Sequence, residues 1–200
     1  MKILILESSG NIKGSSNMLA DEFIRGAEEN GHEITICNVI RKNIKPCLGC
    51  GHCGMSGACV LQDDYENELK PLIIDTDMIV FVMPLYYYSW PAQLKICIDR
   101  FYSFNTELAS MHKKTALLSA AWDDTDTAFE VTEAFYKQLC SYMKFEDCGT
   151  VLGRGCGTPS MTRASRYPQL AYELGKSIYN QETEARRYSS AKELFDELDI

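Results

Sequence analysis

Four of the nine cysteines lie close together in one segment of the chain. Cys47, Cys50, Cys53 and Cys59 are spaced C-x2-C-x2-C-x5-C within KPCLGCGHCGMSGACVLQDD. Three thiolates that are two residues apart can bind three irons of a cubane cluster, and a downstream thiolate can bind the fourth. The glycines between the cysteines allow the backbone to turn tightly around a small object. The spacing therefore makes these four cysteines candidate ligands of a [4Fe-4S] cluster.

Other chemistry fits the same segment. The pairs CLGC and CGHC could form a reversible disulfide, or the whole segment could be a structural loop. Zinc fits less well, because structural zinc sites usually combine two separated pairs of ligands. Cys156 follows the last predicted strand, and its role stays open. The other four cysteines fall in strand or helix patterns, where we expect small buried residues: Cys37, Cys97, Cys140 and Cys148.

The composition limits the partners of this protein. Its 20 Lys and Arg against 28 Asp and Glu give a net charge of −8, which disfavours binding to nucleic acids and to anionic membranes. The first apolar run, ILIL, is too short for the core of a signal peptide, and no segment is apolar over the length of a membrane span. We therefore expect a cytoplasmic protein whose thiols stay reduced.

The elements that must position these residues alternate along the chain. Five apolar runs predict strands at 2–6, 33–39, 77–83, 115–122 and 148–153. Runs that are apolar on both faces are typical of parallel strands covered by helices on each side. Amphipathic patterns between the runs predict those helices. We therefore expect an α/β fold, a doubly wound five-stranded parallel sheet, in a single domain.

The helices carry start signals and apolar faces of their own. Ser16 is predicted to cap the first helix, and Asp63 with Glu66 to form a capping box for the second. Residues 1–180 are assigned to the domain, and residues 181–200 to a polar linker and a C-terminal helix. The predicted buried faces are Leu19, Phe23 and Ala27; Leu94, Cys97, Ile98 and Phe101; Ala128, Val131, Phe135, Leu139 and Tyr142; and Leu170, Leu174 and Ile178.

Three loops at predicted strand ends have the composition of a ligand site. In a parallel sheet, ligands bind beyond the carboxyl ends of the strands, where the strand order reverses. Loop 8–17 is rich in Ser and Gly, and the N–H groups of the helix that follows can hold a phosphate without a GxGxxG or P-loop pattern. Loop 84–91 is rich in aromatic residues, and loop 119–126 begins with small ones. Together they predict a site for a flat aromatic cofactor with one phosphate, while Arg154 and Arg163, farther along, could meet a nucleotide phosphate or face solvent.

The order of these segments resembles a known family. A Ser-rich loop, then C..C..C.....C..DD, then P.Y......QLK...DRF is similar to the NADPH-dependent FMN reductases of the flavodoxin-like superfamily, and especially to their iron-sulfur flavoprotein branch. The resemblance covers about residues 1 to 160 and implies a flavodoxin-like sheet in the order 2-1-3-4-5 with helices on both faces. Family members commonly carry GSPR..GNT in the first loop, whereas Asn11 stands here in place of the arginine.

The resemblance also implies the cofactors and the residues that bind them. The branch uses its compact cysteine pattern for a [4Fe-4S] cluster, which assigns the four clustered cysteines as ligands. Because the flavin carries the chemistry, no catalytic side chain is predicted. His32, His52 and His112 are expected to be surface or packing residues. The residues that would bind FMN are Ser9, Asn11, Gly14, Ser15, Ser16, Pro84, Leu85, Tyr86, Tyr87, Ser119, Ala120 and Trp122.

Three functions remain open at this point. The first is an FMN-dependent oxidoreductase that passes electrons from NAD(P)H to a small acceptor such as a quinone, a nitro or azo compound, a flavin or a metal complex. The second is an iron-sulfur flavoprotein that carries electrons between protein partners, with ferredoxin as one candidate. The third is a thiol switch or zinc-binding module with a vestigial flavin fold. The resemblance also implies a homodimer or homotetramer, because one domain leaves a face of the flavin ring open.

Overall fold

The computed structural model describes residues 1–179, and five parallel strands form its centre. Their order is β2-β1-β3-β4-β5, and every neighbouring pair is parallel. The predicted flavodoxin-like α/β fold and strand order are therefore confirmed. The strands are β1 (Lys2–Glu7), β2 (Glu33–Asn38), β3 (Met78–Pro84), β4 (Lys114–Ala120) and β5 (Glu146–Gly153).

Helices cover both faces of this sheet. The long connections contain three short turns, a 3₁₀ turn at Val39–Arg41, a π-helical turn at Tyr65–Leu69 and a second 3₁₀ turn at Arg100–Phe104. The α-helices are α1 (Ser15–Glu29), α2 (Lys70–Asp75), α3 (Ala92–Asp99), α4 (Asn105–Ser110), α5 (Glu130–Met143), α6 (Pro159–Ala164) and α7 (Tyr167–Ser177).

Alternate residues of the central strands enter two different cores. Leu4 of β1 and Phe81 of β3 pack in the cluster that contains the buried faces of α3 and α5. Ile5 and Val80, their sequence neighbours, pack in the cluster that contains the buried residues of α1 and α7. Because successive side chains of a strand point to opposite faces, apolar residues at every position require helices on both sides. This arrangement explains why the strand runs of the sequence are continuously apolar.

Helices α1 and α7 approach each other unusually closely. A Cβ atom added to Gly26 would lie 2.2 Å from the carbonyl oxygen of Tyr172, and one added to Gly175 would lie 2.0 Å from that of Phe23. Only glycine allows backbones to come so near. At the C-terminal end of α7, the carbonyl oxygen of Ile178 lies 3.0 Å from the Nε2 atom of the buried His32, so His32 is a packing residue as predicted.

Two predicted faces are confirmed only in part, because the most buried stripe of each helix is displaced by one residue. Ala128 and Ile178 are buried as predicted, and Phe135, Leu139 and Leu174 pack partly buried against the cores, but Val131, Tyr142 and Leu170 are exposed. In α5 the buried residues include Tyr136 and Cys140, whereas Val131 and Tyr142 are 61% and 59% exposed. The hydroxyl of Tyr136 bonds to Thr115 and Asp147, and these polar partners select its face of the helix. In α7 the same displacement buries Ala171 and Gly175 instead of Leu170, because the close contact with α1 admits only small residues. The faces predicted for α1 and α3 are confirmed.

Two predicted helix starts are also corrected. Ser16 lies inside α1, whose N-cap is Gly14, and no side chain caps that helix. Asp63 accepts a hydrogen bond from the Tyr65 N–H at 3.2 Å, but Glu66 does not complete a capping box. Its carboxylate instead accepts hydrogen bonds from Arg100 and Lys70, because a buried guanidinium demands anionic partners.

The predicted C-terminal linker and helix, residues 181–200, lie outside the described residues, and the domain boundary stays a prediction. Within residues 1–179, no helix combines the length and apolar character that crossing a bilayer requires.

Candidate functional site

Loops from four strand ends meet at one cavity of about 270 Å³. They follow β1, β3, β4 and β5, which places the cavity at the carboxyl edge of the sheet, where ligands of such folds bind. Ten of the twelve residues predicted to bind FMN line it: Ser9, Asn11, Gly14, Ser15, Ser16, Pro84, Leu85, Tyr86, Ala120 and Trp122.

The two remaining predicted residues, Ser119 and Tyr87, do not line this cavity. Ser119 is fully buried in β4, and its hydroxyl has no hydrogen-bond partner within the described residues. Tyr87 is fully exposed. It occupies, with Tyr88, the centre of a tight turn closed by two backbone hydrogen bonds between Tyr86 and Ser89.

That turn has an uncommon backbone. Tyr87 and Tyr88 have φ angles of 48° and 61°, in the left-handed region that such turns require at both central positions. Asn and Gly are the usual residues there, and bulky side chains are disfavoured. The hydroxyl of Tyr88 donates to Asp123 at 3.1 Å, which joins the turn to the loop after β4. Two walls of the cavity are thereby tied together.

The loop between β1 and α1 forms the polar end of the cavity. The Gly14 N–H donates to the carbonyl oxygen of Asn11 at 2.8 Å, and a Cβ atom on Gly14 would lie 2.8 Å from that same oxygen. The turn therefore requires glycine. Among residues 1–179, the buried hydroxyl of Ser15 has no hydrogen-bond partner, and the first N–H groups of a helix have no intrahelical acceptors. This set of unused donors at a helix start fits a phosphate group.

Aromatic and small side chains form the other end. The exposed ring of Trp122 lies against the backbone of Gly157, where a Cβ atom would be 2.0 Å from the ring atom Cε3. Arg154 donates from its guanidinium to two carbonyl oxygens of the same loop, those of Thr125 at 3.1 Å and Asp126 at 3.0 Å. Arg154 thus supports the loop beside Trp122.

Three residues of the cavity were missed by sequence reasoning. Ala121 directly follows β4, while Cys156 and Gly157 follow β5. The Cys156 N–H donates to the carbonyl oxygen of Ala121 at 2.7 Å, which connects the two loops. The signal for the second pair was the glycine-rich stretch GRGCGT, which reads equally well as an ordinary turn.

The cysteine segment lies beside a different cavity, of about 340 Å³. Cys47, Gly49 and Gly51 line it together with Asp99 and Tyr102, and it shares no lining residue with the first cavity. All four clustered cysteines are free thiols that are at least partly exposed. Within residues 1–179, no three His, Cys, Asp or Glu side chains are gathered as metal ligands. The arrangement by itself therefore does not identify a metal site.

Arg100 holds both ends of this segment. Its side chain is 1% exposed, and Nη1 donates to the carbonyl oxygen of Lys45 at 3.0 Å and to Oδ2 of Asp63 at 2.9 Å. Nη2 donates to the carbonyl oxygen of Leu61 at 3.3 Å. The guanidinium also lies 4.6 Å from the ring centroid of Tyr65. One side chain thus ties together the chain before the first cysteine and after the fourth.

The charge of Arg100 controls the ionisation of Asp63. Burial acts to raise the pKa of Asp63, but hydrogen bonds from Arg100 and from the Lys45 N–H, with the charge of Arg100, bring that pKa below its ordinary value. The carboxylate of Glu66 lies 3.4 Å from Nη2 of Arg100 and completes the anionic side of the cluster. Arg100 thus neutralises both buried carboxylates, while its Nε atom has no hydrogen-bond partner among residues 1–179.

The family model described as a flavodoxin-like fold, Flavodoxin_2, matches residues 1–176. The chain belongs to this flavodoxin-like family. The predicted family is therefore confirmed, and the first cavity lies where flavodoxin-like sheets bind their ligands.

Known proteins resemble this flavodoxin-like chain in sequence and in structure. An iron-sulfur flavoprotein of Archaeoglobus fulgidus is 34% identical over 100 residues, which are 50% of this chain and 45% of the relative. The chain thus spans about half the length of the curated iron-sulfur flavoproteins that it matches.

Two solved structures share the fold at low sequence identity. An NAD(P)H:quinone oxidoreductase from Methanothermobacter marburgensis has a TM-score of 0.70 at 19% identity, covering 90% of this chain and 97% of its own. An FMN-dependent NADH-azoreductase from Bacillus anthracis, solved with FMN, has a TM-score of 0.65 at 14% identity, covering 90% and 99%. At these identities the likeness shows the fold alone.

Replacing Arg100 by Gln is expected to lower the free energy of unfolding at pH 7 by about 3–5 kcal/mol, because two buried carboxylates lose their cation. The pKa of Asp63 lies below its ordinary value in the folded protein, so its contribution is present above about pH 4 and is lost as the pH falls through the folded value. The difference between the two proteins should therefore shrink on acidification. Urea unfolding at several pH values measures it.

Lys95→Gln is the matched control, because Lys95 forms an exposed ion pair with Asp99 within α3, the helix that precedes Arg100. Its loss should cost less than about 1 kcal/mol. Equal stabilities of the Arg100 variant and this control would contradict the assigned role of Arg100.

Proposed function

We propose that this protein is an FMN-dependent oxidoreductase that takes electrons from NAD(P)H and passes them to a small acceptor. The acceptor class comprises quinones, nitro and azo compounds, flavins and metal complexes. One observation carries the proposal: ten residues predicted for FMN, far apart in sequence, line a single cavity at the carboxyl edge of the sheet. The names of the structural neighbours, a quinone oxidoreductase and an FMN-dependent azoreductase, support the same class of reaction.

The residues of the cavity divide into two groups that suit the two ends of FMN. The hydroxyls of Ser9, Ser15 and Ser16 and the first N–H groups of α1 would hold the phosphate. Leu85, Tyr86 and Trp122 would border the isoalloxazine and shield one side of it from water. When bound, FMN itself supplies hydride and electron transfer, so the chain needs only to bind and orient it. This division explains why the site needs no acid–base pair.

We also propose that the protein works as a homodimer or homotetramer. Beside the cavity, Tyr86 is 51% exposed, Tyr87 is fully exposed and Trp122 is 70% exposed. Large apolar rings grouped in solvent are typical of surfaces that a partner covers. A second subunit on this face would close the open side of the flavin site. The nine free thiols suit a reducing compartment such as the cytoplasm.

Protein loaded with FMN should oxidise NADPH or NADH in the presence of menadione faster than the same amount of free FMN. The reason is that Leu85, Tyr86 and Trp122 would hold the flavin ring at the open edge of the cavity, where donor and acceptor could alternate. The loss of absorbance at 340 nm, the nicotinamide band, measures the rate. A rate no higher than that of free FMN with either donor would contradict the enzyme proposal.

Ser15→Ala is expected to weaken FMN binding about fivefold, because the hydroxyl would donate to the phosphate. The same change should leave the stability of the apoprotein nearly unaltered, since this buried hydroxyl has no hydrogen-bond partner in the described part of the chain. Fluorescence titration measures the first effect and thermal unfolding the second.

Ser177→Ala, at the end of α7, is the matched control and should not alter FMN binding. If Ser15→Ala binds FMN as tightly as the unaltered protein, Ser15 does not contact the phosphate.

A second candidate function is electron transfer between protein partners by an iron-sulfur flavoprotein. The observation that favours it is the four-cysteine segment, whose ends are fixed by Arg100 and whose thiols are free. The Gly49 N–H also donates to Sγ of Cys47 at 3.5 Å. A [4Fe-4S] cluster there would give the flavin a one-electron partner, and ferredoxin would be a suitable donor.

Protein purified without oxygen tests this candidate. If Cys47, Cys50, Cys53 and Cys59 bind a cluster, about four iron and four sulfide per chain are expected, and Cys50→Ser should lower both while FMN binding persists. Cys148→Ser, outside the segment, is the matched control. Iron-free protein, zinc in place of iron, or a disulfide in the segment would each exclude the cluster.

A further inference from the structure

A larger cavity, of about 670 Å³, adjoins the proposed phosphate end of the flavin site. Gly14 lines both cavities, so the two meet at the turn where α1 begins. The larger cavity runs between the exposed face of α1 and the short helix α6. Its charged lining residues are Lys13, Asp21, Glu22 and Arg163.

The charges in this larger cavity are not balanced by one another. Glu22 forms an ion pair with Arg25, whose Nη2 atom lies 2.6 Å from Oε2 of Glu22. Asp21 remains, and burial together with the nearby Glu22 raises its pKa. Within residues 1–179, neither Lys13 nor Arg163 forms an ion pair. Among the described residues, two cations without an ion pair therefore line this cavity with one carboxylate that also has none, in a chain whose net charge is −8.

Arg163 is fixed relative to the flavin cavity through its own helix. The buried hydroxyl of Thr162 donates to the carbonyl oxygen of Cys156 at 3.4 Å and to that of Thr158 at 2.9 Å. Cys156 lines the flavin cavity, so α6 is anchored on its wall. The neighbouring cations have other positions: Arg154 supports the loop after β4, and Arg166 lies over the ring of Tyr167.

Among the described residues that line the proposed flavin cavity, none has a positively charged side chain. A flavin phosphate carries nearly two negative charges, whereas serine hydroxyls and helix N–H groups offer partial charges and no full positive charge. Asn11 supplies no charge either. We propose that Lys13 and Arg163 form the cationic outer wall of the phosphate site and make it select a phosphorylated flavin over riboflavin. This inference rests on the proposed FMN function and assigns a specificity role to two residues outside the flavin cavity.

Titration of the apoprotein with FMN and with riboflavin tests this role. In the double variant Lys13→Gln/Arg163→Gln, the affinity for FMN should fall about tenfold while that for riboflavin stays unchanged, because riboflavin has no phosphate. The affinity of the unaltered protein for FMN should fall with added salt, and the double variant should lose most of that dependence. Quenching of flavin fluorescence measures both ligands.

Two further variants sharpen the result. Asp21→Asn removes the opposing carboxylate and should raise the affinity for FMN relative to riboflavin. Arg166→Gln removes a nearby cation that does not line the cavity and should leave the FMN-to-riboflavin ratio unchanged. Melting curves without flavin show whether each variant is folded.

The outcomes separate this inference from the proposal on which it rests. If the unaltered protein binds FMN and the double variant keeps the same FMN-to-riboflavin ratio, only the role of Lys13 and Arg163 is overturned. An equal loss of both flavins in a folded double variant would also overturn it, because the effect would not involve the phosphate. If the unaltered protein binds neither flavin, the proposed function fails as well.

Discussion

The buried guanidinium of Arg100 organises the least regular part of the molecule. Residues 42–63 contain no helix or strand, yet both ends of the cysteine segment are fixed because Arg100 bonds to Lys45, Leu61 and Asp63. A buried charge without partners would cost several kcal/mol, so the guanidinium and its acceptors must come together on folding. Arg100 follows α3 directly, and α3 follows the aromatic loop that lines the cavity at the carboxyl edge of the sheet. The two candidate sites therefore depend on one helix.

The parallel sheet explains why the cavity at its carboxyl edge could be predicted in such detail. All five strands end at the same edge, so loops that are distant in sequence must meet there. The strand runs and the loop compositions are local features, which a single sequence displays directly. Pairing of β1 with β3 then brings Ser9 and Pro84 to one cavity without any specific long-range signal. For that reason the sheet order and ten of the thirteen residues that line the cavity followed from the pattern and the family resemblance.

The features that were not predicted depend on contacts between distant residues. The face of α5 is selected by the partners of Tyr136, and that of α7 by a backbone contact that requires Gly175. The predicted capping box does not form because the carboxylate of Glu66 bonds to Arg100, which lies 37 residues beyond Asp63. Tyr87 points into solvent because it lies in a turn with positive φ angles, and tyrosine is an uncommon residue in such turns. The cysteine spacing indicates ligands, but the place of the segment beside Asp99 is decided by the same long-range ion pairs.

The turn at Tyr87 and Tyr88 affects which substitutions this wall of the cavity can accept in evolution. Each tyrosine adopts a backbone conformation that costs of order 1 kcal/mol relative to glycine. Substitution by Asn or Gly would therefore lower the conformational strain of the turn. Such a replacement would remove the hydroxyl that reaches Asp123 and the ring that stands in solvent. The backbone of this turn therefore favours Asn or Gly, whereas the hydrogen bond to Asp123 favours tyrosine at position 88.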